Sequence, residues 1–264
     1  MIPYPRIDPD IVSIGPLRIR WYGVMYVVGF VCAYFLMLRQ RRAREIGITP
    51  QAAQDLIFYL AVGLVAGARL GYILFYQYGD LGAYVKDPVE IIATWKGGMS
   101  FHGGLIGSLF MGWLFSRRRR MPFWAVADTV AVTAPVGLGL GRIGNFVNGE
   151  LFGKPSSLPW AMVFPDGGPV ARHPTQLYEA LLEGLLLFLL LWYLRKTPRR
   201  DGMMVVFFLV FYGVLRFLVE FVKEPDPQIG YLLGVFTMGQ VLCMAMTAAG
   251  GALFLWLRRT PRST

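Results

Sequence analysis

Charge is what this sequence has least of. Asp, Glu, Lys and Arg make up only 16% of its 264 residues, against roughly 25% in a soluble domain. Histidine and cysteine occur twice each. Cys32 and Cys243 lie in apolar runs, so they supply neither a disulfide framework nor metal-ligand spacing. His, Asp and Cys do not cluster as a metal centre requires, and no cofactor is expected. No Gly-x-Ser-x-Gly or Ser-His-Asp arrangement points to an acyl-enzyme. Acidic residues are the scarcer sign of charge, 16 against 26 basic, for a net charge of +10. What remains is apolar: 55% of residues are hydrophobic and the mean hydropathy is +0.49. This excludes disorder, collagen-like sequence and a cytosolic globule, and indicates a polytopic membrane protein.

Seven apolar runs are read as spans, at about 20 residues per crossing. They are Trp21–Leu38, Asp55–Gln77, Met99–Phe115, Phe123–Ile143, Gln176–Leu194, Met203–Phe221 and Phe236–Leu257. In hydrocarbon each backbone polar group needs an internal partner, so these runs are predicted to be helices. The expected fold is an all-α polytopic membrane protein of about seven transmembrane helices. It forms one integral-membrane domain over residues 1–264, with a small extracytoplasmic segment at about 144–175. The first run starts too far in, and without a small-residue cleavage site, to be a removable signal peptide. Fifteen lysines and arginines fall on one side of these spans and eight on the other. The excess marks the cytoplasm, so the N-terminus is expected outside and the C-terminus inside. The blocks Arg39–Arg44 and Arg117–Arg120 then read as cytoplasmic stop signals, and no nucleic-acid partner is expected.

Three arginines, Arg69, Arg142 and Arg216, lie within spans, where each charge costs roughly 2.5–3.5 kcal/mol and usually faces a cavity or a partner. On the orientation above, Tyr22, His102, Gln176, Tyr178, Glu179 and Gln240 fall near outer ends. Glu183 and Glu220 are comparable or slightly deeper, and Asp128 is the inward exception. That layout suits a site open to the outer leaflet. Tyr212, Arg216 and Glu220 share one helical face by their i, i+4, i+8 spacing. They form either a ligand site or a self-neutralising Arg–Glu pair. Arg69 shares a face with Tyr72 and Tyr76, for structure or for function, while Gly63, Gly67 and Gly71 form a packing stripe. His102 is flanked by glycines within Gly97–Gly104 and lacks bulky neighbours, and histidine is the residue type best suited to proton transfer, which favours catalysis or binding. His173, between Arg172 and Pro174, reads as a loop-fixing residue.

The strongest local feature runs from Gly137 to Gly153. Its glycines are expected to let the backbone leave the helix and approach a ligand. Arg142 supplies a forked cation suited to phosphate. Asn145 and Asn148 add neutral donors and acceptors, and Glu150 adds an anion. A phosphate-binding cavity in the outer leaflet implies a phospholipid substrate and direct displacement with phosphate as the leaving group. Residue chemistry alone leaves the acceptor open.

At Arg142–Gly153 the pattern Gly-Arg-x-Gly-Asn-Phe-x-Asn-Gly-Glu-x-x-Gly resembles that of bacterial prolipoprotein diacylglyceryl transferases. The likeness extends to Trp21-Tyr22-Gly23, Gly67–Tyr72, Gly97–Gly104, Arg172–Glu179, Tyr212-Gly-x-x-Arg216 and Met238-Gly-Gln240, in family order. Two departures are Lys223, where many relatives carry Arg, and a short Lys154–Ala171 segment. The resemblance implies a transferase of lipoprotein biosynthesis in the bacterial cytoplasmic (inner) membrane, its active site on the extracytoplasmic side. It would move the sn-1,2-diacylglyceryl group of phosphatidylglycerol to the lipobox cysteine thiol of a preprolipoprotein signal peptide, releasing glycerol 1-phosphate. Its partners are then those two substrates and membrane lipids.

The implied catalytic residues are His102, Arg142, Arg216 and Glu150. The implied substrate-binding residues are Tyr22, Arg69, Asn145, Asn148, Gly153, Tyr212 and Glu220. Arg142 and Arg216 would clamp the phosphate, while Asn145 and Tyr22 orient the head group. His102, Glu150 or Glu220 would take the thiol proton. The rival readings are a phospholipid flippase or transporter, and a lipid-binding protein without chemistry.

Overall fold

The computed structural model describes residues 2–5, 7–14, 17–197, 199–225, 230–232 and 235–260. Arg6 and Arg262, two of the basic residues counted above, lie outside the described residues. The long helices begin where short polar side chains satisfy the first orphan amides. Thr49 accepts from the Ala52 amide, and Pro50 opens helix α3 (Pro50–Tyr76). Ser100 accepts from Gly103 at the start of α6 (Phe101–Arg119). Thr237 and Gln240 form a reciprocal capping box at the start of α11 (Met238–Arg259). Helix α10 (Met203–Glu220) is capped from a distance: the buried Asp128 carboxylate accepts from Gly202 N–H at 2.8 Å and Val205 N–H at 3.0 Å. Asp128, expected near an inner end, is thereby accounted for as a helix cap.

The remaining helices are α1 (Trp21–Leu38), α2 (Arg41–Glu45), α4 (Leu81–Lys86), α5 (Val89–Ile92), α7 (Phe123–Asn148), α8 (Thr175–Glu179) and α9 (Leu187–Leu194). A π-helical turn over Ala180–Leu186 joins α8 to α9. Six helical stretches are long and apolar enough to cross a membrane: α1, α3, α7, Thr175–Leu194, α10 and α11. The segment expected at Met99–Phe115 is helical, as α6, but it is not among those six. Large apolar side chains such as Phe58, Phe75, Leu74, Leu189 and Leu218 are exposed along these helices, as suits a chain whose solvent there is lipid. The fold departs from all-α in two short antiparallel hairpins, β1 (Asp10–Ile14) with β2 (Leu17–Arg20) and β3 (Tyr231–Leu232) with β4 (Phe236–Thr237).

The chain divides into two compact units, Met1–Met37 with Asp128–Thr264, and Leu38–Ala127. In the second unit α3 and α6 run antiparallel, glycine against glycine. A Cβ on Gly63 would lie 2.4 Å from the Gly107 carbonyl, and one on Gly67 2.4 Å from that of Gly103. The expected packing stripe therefore has a partner stripe, and only hydrogens fit between the backbones. In the first unit α1 packs antiparallel on α7 through Gly29 and Gly137. Gly139 of α7 meets Gly184 of the π-helical turn. Ala131, Val132, Leu187, Leu191 and Met204 form a buried apolar core around which Phe208, Phe211 and Tyr212 pack.

One expectation is corrected here. The backbone does not leave the helix at Gly137–Gly144, because α7 continues to Asn148. Gly139 and Gly144 are helical contact points, whereas a Cβ on Gly141 would meet nothing. A Cβ on Gly144 would meet the Tyr22 ring at 2.8 Å, so Gly144 seats Tyr22. The chain turns out of the helix only at Gly149, at φ +71°.

Candidate active site

In the first unit a cluster of charged residues gathers around Glu179. This side chain is 0% exposed. One oxygen, Oε2, pairs with Arg142 Nε at 3.0 Å. The other, Oε1, pairs with Arg216 Nη1 and with Lys223 Nζ, the latter at 3.1 Å. Arg216 also reaches Glu183 at 3.4 Å and Glu220 at 3.1 Å. Three cations thus face three buried carboxylates. The charge that membrane insertion penalises is neutralised within the cluster.

The two arginines differ in what they have left to offer. Arg216 is 13% exposed and gripped by three carboxylates. Arg142 is 22% exposed and uses Nε for Glu179, while its Nη1 leans on Asn145 Oδ1 at 3.4 Å. Its Nη2 has no partner among the described residues. Next to it Asn145 and Asn148 donate to one oxygen of Glu150, at 2.8 and 3.1 Å. Glu150 itself is exposed, so its carboxylate is held in place at an accessible surface. Tyr22, seated on Gly144, shares a hydrogen bond with the Tyr26 hydroxyl at 3.2 Å.

Glu220 is tied down further by the Thr237 hydroxyl, which donates to it at 3.1 Å. Gly239 lies against the same carboxylate, leaving no room for a Cβ. Tyr212 lies beside Glu183. Lys223 lies beyond the end of α10, and its amine is pulled down to about 7 by burial and by the nearby Arg216 and Arg142 charges.

Gly153 sits where three segments meet. Its N–H donates to the His173 carbonyl at 2.8 Å, and it forms an antiparallel bridge with Lys223. A Cβ there would lie 2.4 Å from the Val222 carbonyl, 2.6 Å from Thr175 and 2.8 Å from His173. Its observed contacts are protein packing, and it links the residue-150 segment to Lys223. His173 fixes the loop: its backbone pairs with Gly153 and Lys154, and its Nδ1 lies 3.2 Å from the Tyr178 hydroxyl. Burial lowers its pKa below the ordinary histidine value. An apolar groove of about 240 Å³ lies along α7 and the π-helical turn, lined by Val136, Leu140, Ile143, Leu185 and Phe188 among others.

The second unit holds Arg69 and His102. The Arg69 guanidinium donates to four backbone carbonyls: Ile91 at 3.0 Å, Gly97 at 2.7 Å, Gly98 at 3.0 Å and Glu90 at 2.6 Å. Four of about five N–H donors are thereby committed to the chain segment that leads into α6. His102 lies in the first turn of α6 and is exposed. Its glycine neighbours serve a different purpose from the open surroundings expected, since Gly103 and Gly104 are buried against α3.

Sequence reading named Glu179 and Glu183 only as polar residues near a span end. The signal that could have found them is their spacing of four on one helix, which puts both on one face. Asp55, at the start of the second expected span, pairs with Arg119, and Asp128 caps a helix. Both carboxylates are thus held by protein partners, as a polar transport path would not require.

Membrane-length helices and a buried charged cluster at one end of them define a multi-pass membrane protein with a polar site at its helix termini. The family model described as prolipoprotein diacylglyceryl transferase matches residues 9–256. The chain belongs to that family. It is 53% identical to the phosphatidylglycerol–prolipoprotein diacylglyceryl transferase of Nitratidesulfovibrio vulgaris (strain Miyazaki F), over 97% of this chain and 95% of the relative. It is 51% identical to the same-named protein of Chromohalobacter salexigens, over 99% and 96%. For Pseudomonas paraeruginosa the identity is 49%, over 98% and 97%.

Proposed function

We propose that this chain transfers the sn-1,2-diacylglyceryl group of phosphatidylglycerol to the lipobox cysteine of a preprolipoprotein, the first step of lipoprotein maturation. The observation that carries the reading is the Arg142 guanidinium, ion-paired with Glu179 and only 22% exposed, in a chain about half identical to proteins of that name. The cysteine sulfur attacks the glyceryl carbon bonded to the phosphate. The C–O bond breaks, its electron pair stays on oxygen, and glycerol 1-phosphate leaves as the thioether forms. The thiol proton passes to a base.

Arg142 binds the phosphate directly, and Arg216 backs it from within the cluster. Tyr22 and Asn145 border the head group, with Asn145 and Asn148 steadying Glu150. The groove along Ile143 and Leu140 suits an acyl chain. Glu220 is a poor base because Arg216 and Thr237 occupy its carboxylate. Glu150 is the accessible base of the first unit and His102 that of the second, and variant kinetics separate them. Arg69 orders the segment before α6, and Tyr212 steadies Glu183. Gly153 keeps the loop closed on Lys223.

The protein is read as residing in the bacterial cytoplasmic membrane, with its N-terminus outside, its C-terminus inside and α6 as a seventh span. The support is the fifteen-to-eight basic asymmetry. The Arg142 end of α7 then faces the extracytoplasmic side. The test is incubation of the purified protein with phosphatidylglycerol and a lipobox peptide. The peptide should gain the mass of one diacylglyceryl group, and a cysteine-to-serine peptide should gain none. An unmodified lipobox peptide would refute the reading.

A further inference from the structure

We propose that Glu179 is the positioning residue of the phosphate-binding arginines, a role that rests on the transfer reaction proposed above. Glu179 touches neither substrate; it acts through Arg142. Its carboxylate is wholly buried at the end of α8 and gathers cations from three places in the fold. These are Arg142 of α7, Arg216 of α10 and Lys223 of the strand-like segment beyond it. Glu183 and Glu220 both form their ion pairs with Arg216. Among the described residues, Glu179 is the only carboxylate ion-paired with Arg142.

The pairing is one-sided. Arg142 Nε lies 3.0 Å from Glu179 Oε2, an ion pair in which that oxygen makes no hydrogen bond, and Asn145 Oδ1 accepts from Nη1 at 3.4 Å. The end of the guanidinium, bearing Nη1 and Nη2, is left for a bidentate phosphate contact. As the C–O bond breaks, the phosphate changes from a singly charged diester to a monoester that carries more negative charge. A donor already aimed at that oxygen stabilises the change without reorganising. Glu179 therefore contributes to turnover more than to ground-state lipid binding. Its own negative charge opposes binding of an anionic lipid.

These two effects give Glu179→Gln a signature. The variant keeps the size of the side chain and removes its charge. Per folded molecule, kcat should fall by about 10²-fold, the scale for misplacement of a reacting group by about 1 Å. KM for phosphatidylglycerol should stay level or decrease, because a negative charge has left the cluster. Glu179→Asp keeps the charge but shortens the reach by one methylene. It should recover part of the lost kcat.

The measurement is lipidation of a lipobox peptide over a range of phosphatidylglycerol in mixed micelles, normalised to folded protein. A Glu179→Gln enzyme with parental kcat overturns the proposal, as does a raised KM with unchanged kcat. If Glu179→Gln fails to fold, Glu179→Asp carries the test: lowered kcat at level KM supports the role, and parental kcat refutes it. An inactive parent enzyme would instead refute the transfer reaction itself.

Discussion

Replacing Arg216 by leucine strands two carboxylates. Glu183 loses its only ion-pair partner among the described residues, and Glu220 keeps only the Thr237 hydroxyl. Glu179 still holds Arg142 and Lys223. Removing one member of a buried pair costs about 3–5 kcal/mol, because the other is left charged and dry. With two carboxylates exposed to that penalty, Arg216→Leu should fall at the upper end, about 5 kcal/mol. That is much of the roughly 5–15 kcal/mol by which a typical protein is stable. Adding Glu220→Leu removes one stranded group and should return about half of the loss. Adding Glu183→Leu as well should bring stability close to the parent, since apolar replacement of a whole buried ion group is often neutral. The assay is denaturant unfolding in mild detergent, followed by tryptophan fluorescence. All three variants should remain inactive in peptide lipidation. A single variant as stable as the parent would refute this account of the cluster, and so would full recovery in the double variant.

Further outcomes follow from the same geometry. His102→Gln should lower turnover by roughly 10²–10⁴ if His102 is the base, with phosphatidylglycerol affinity little changed; near-normal turnover would transfer the role to Glu150. Gly153→Ala should destabilise by about 1–3 kcal/mol through overpacking against the Val222 carbonyl, read as a lower unfolding midpoint and reduced activity. An unaltered midpoint would show that the loop can yield. Reporter fusions after Arg120 and Arg200 should signal cytoplasm, and a fusion after Gly167 the opposite side. A cytoplasmic signal at Gly167 would move the Arg142 end of α7 to the wrong face for an extracytoplasmic enzyme.

Hydropathy alone was enough to locate the helices. The expected Trp21–Leu38 coincides with α1, and Met203–Phe221 overshoots α10 by one residue. The misses come from polar residues that are helical without being apolar. Helix α3 begins at Pro50, five residues before the expected start, because Thr49 caps it and Gln51 and Gln54 cost nothing at a wet end. Helix α7 runs five residues beyond Ile143, through Asn145 and Asn148. Its glycines looked like an exit from the helix, yet they are where Tyr22 and Gly184 pack. Glycine in one sequence cannot be told apart as hinge or as contact, because the partner surface decides. The site was legible in its cations. Arg142 and Arg216 stood out because charge is scarce in an apolar run. Their organiser, Glu179, did not, since it lies at a span end where a carboxylate looks ordinary. The four-carbonyl role of Arg69 depends on a fold of Glu90–Gly98 that no local pattern announces.

The π-helical turn at Ala180–Leu186 holds more chain per turn than the α-helices on either side. It therefore acts as a phase adjuster within one span. On its near side Glu179 is fixed by the cations of the site. On its far side Leu187 and Leu191 are fixed by the apolar core. A regular α-helix through the same residues would set these two faces out of step. Deleting one residue from the turn, for example Leu182, would let it relax to α-helical geometry with both faces still in step, because the turn carries one residue more than an α-helix needs for the same rotation. Inserting one further residue after Leu186 would instead rotate everything beyond it by about 100° and shift it by about 1.5 Å. The span would stay long and apolar enough to cross, and an insertion assay would pass it. Its lower half would nevertheless turn Leu187 and Leu191 out of the core, so the chain would enter the membrane normally and fail to pack there.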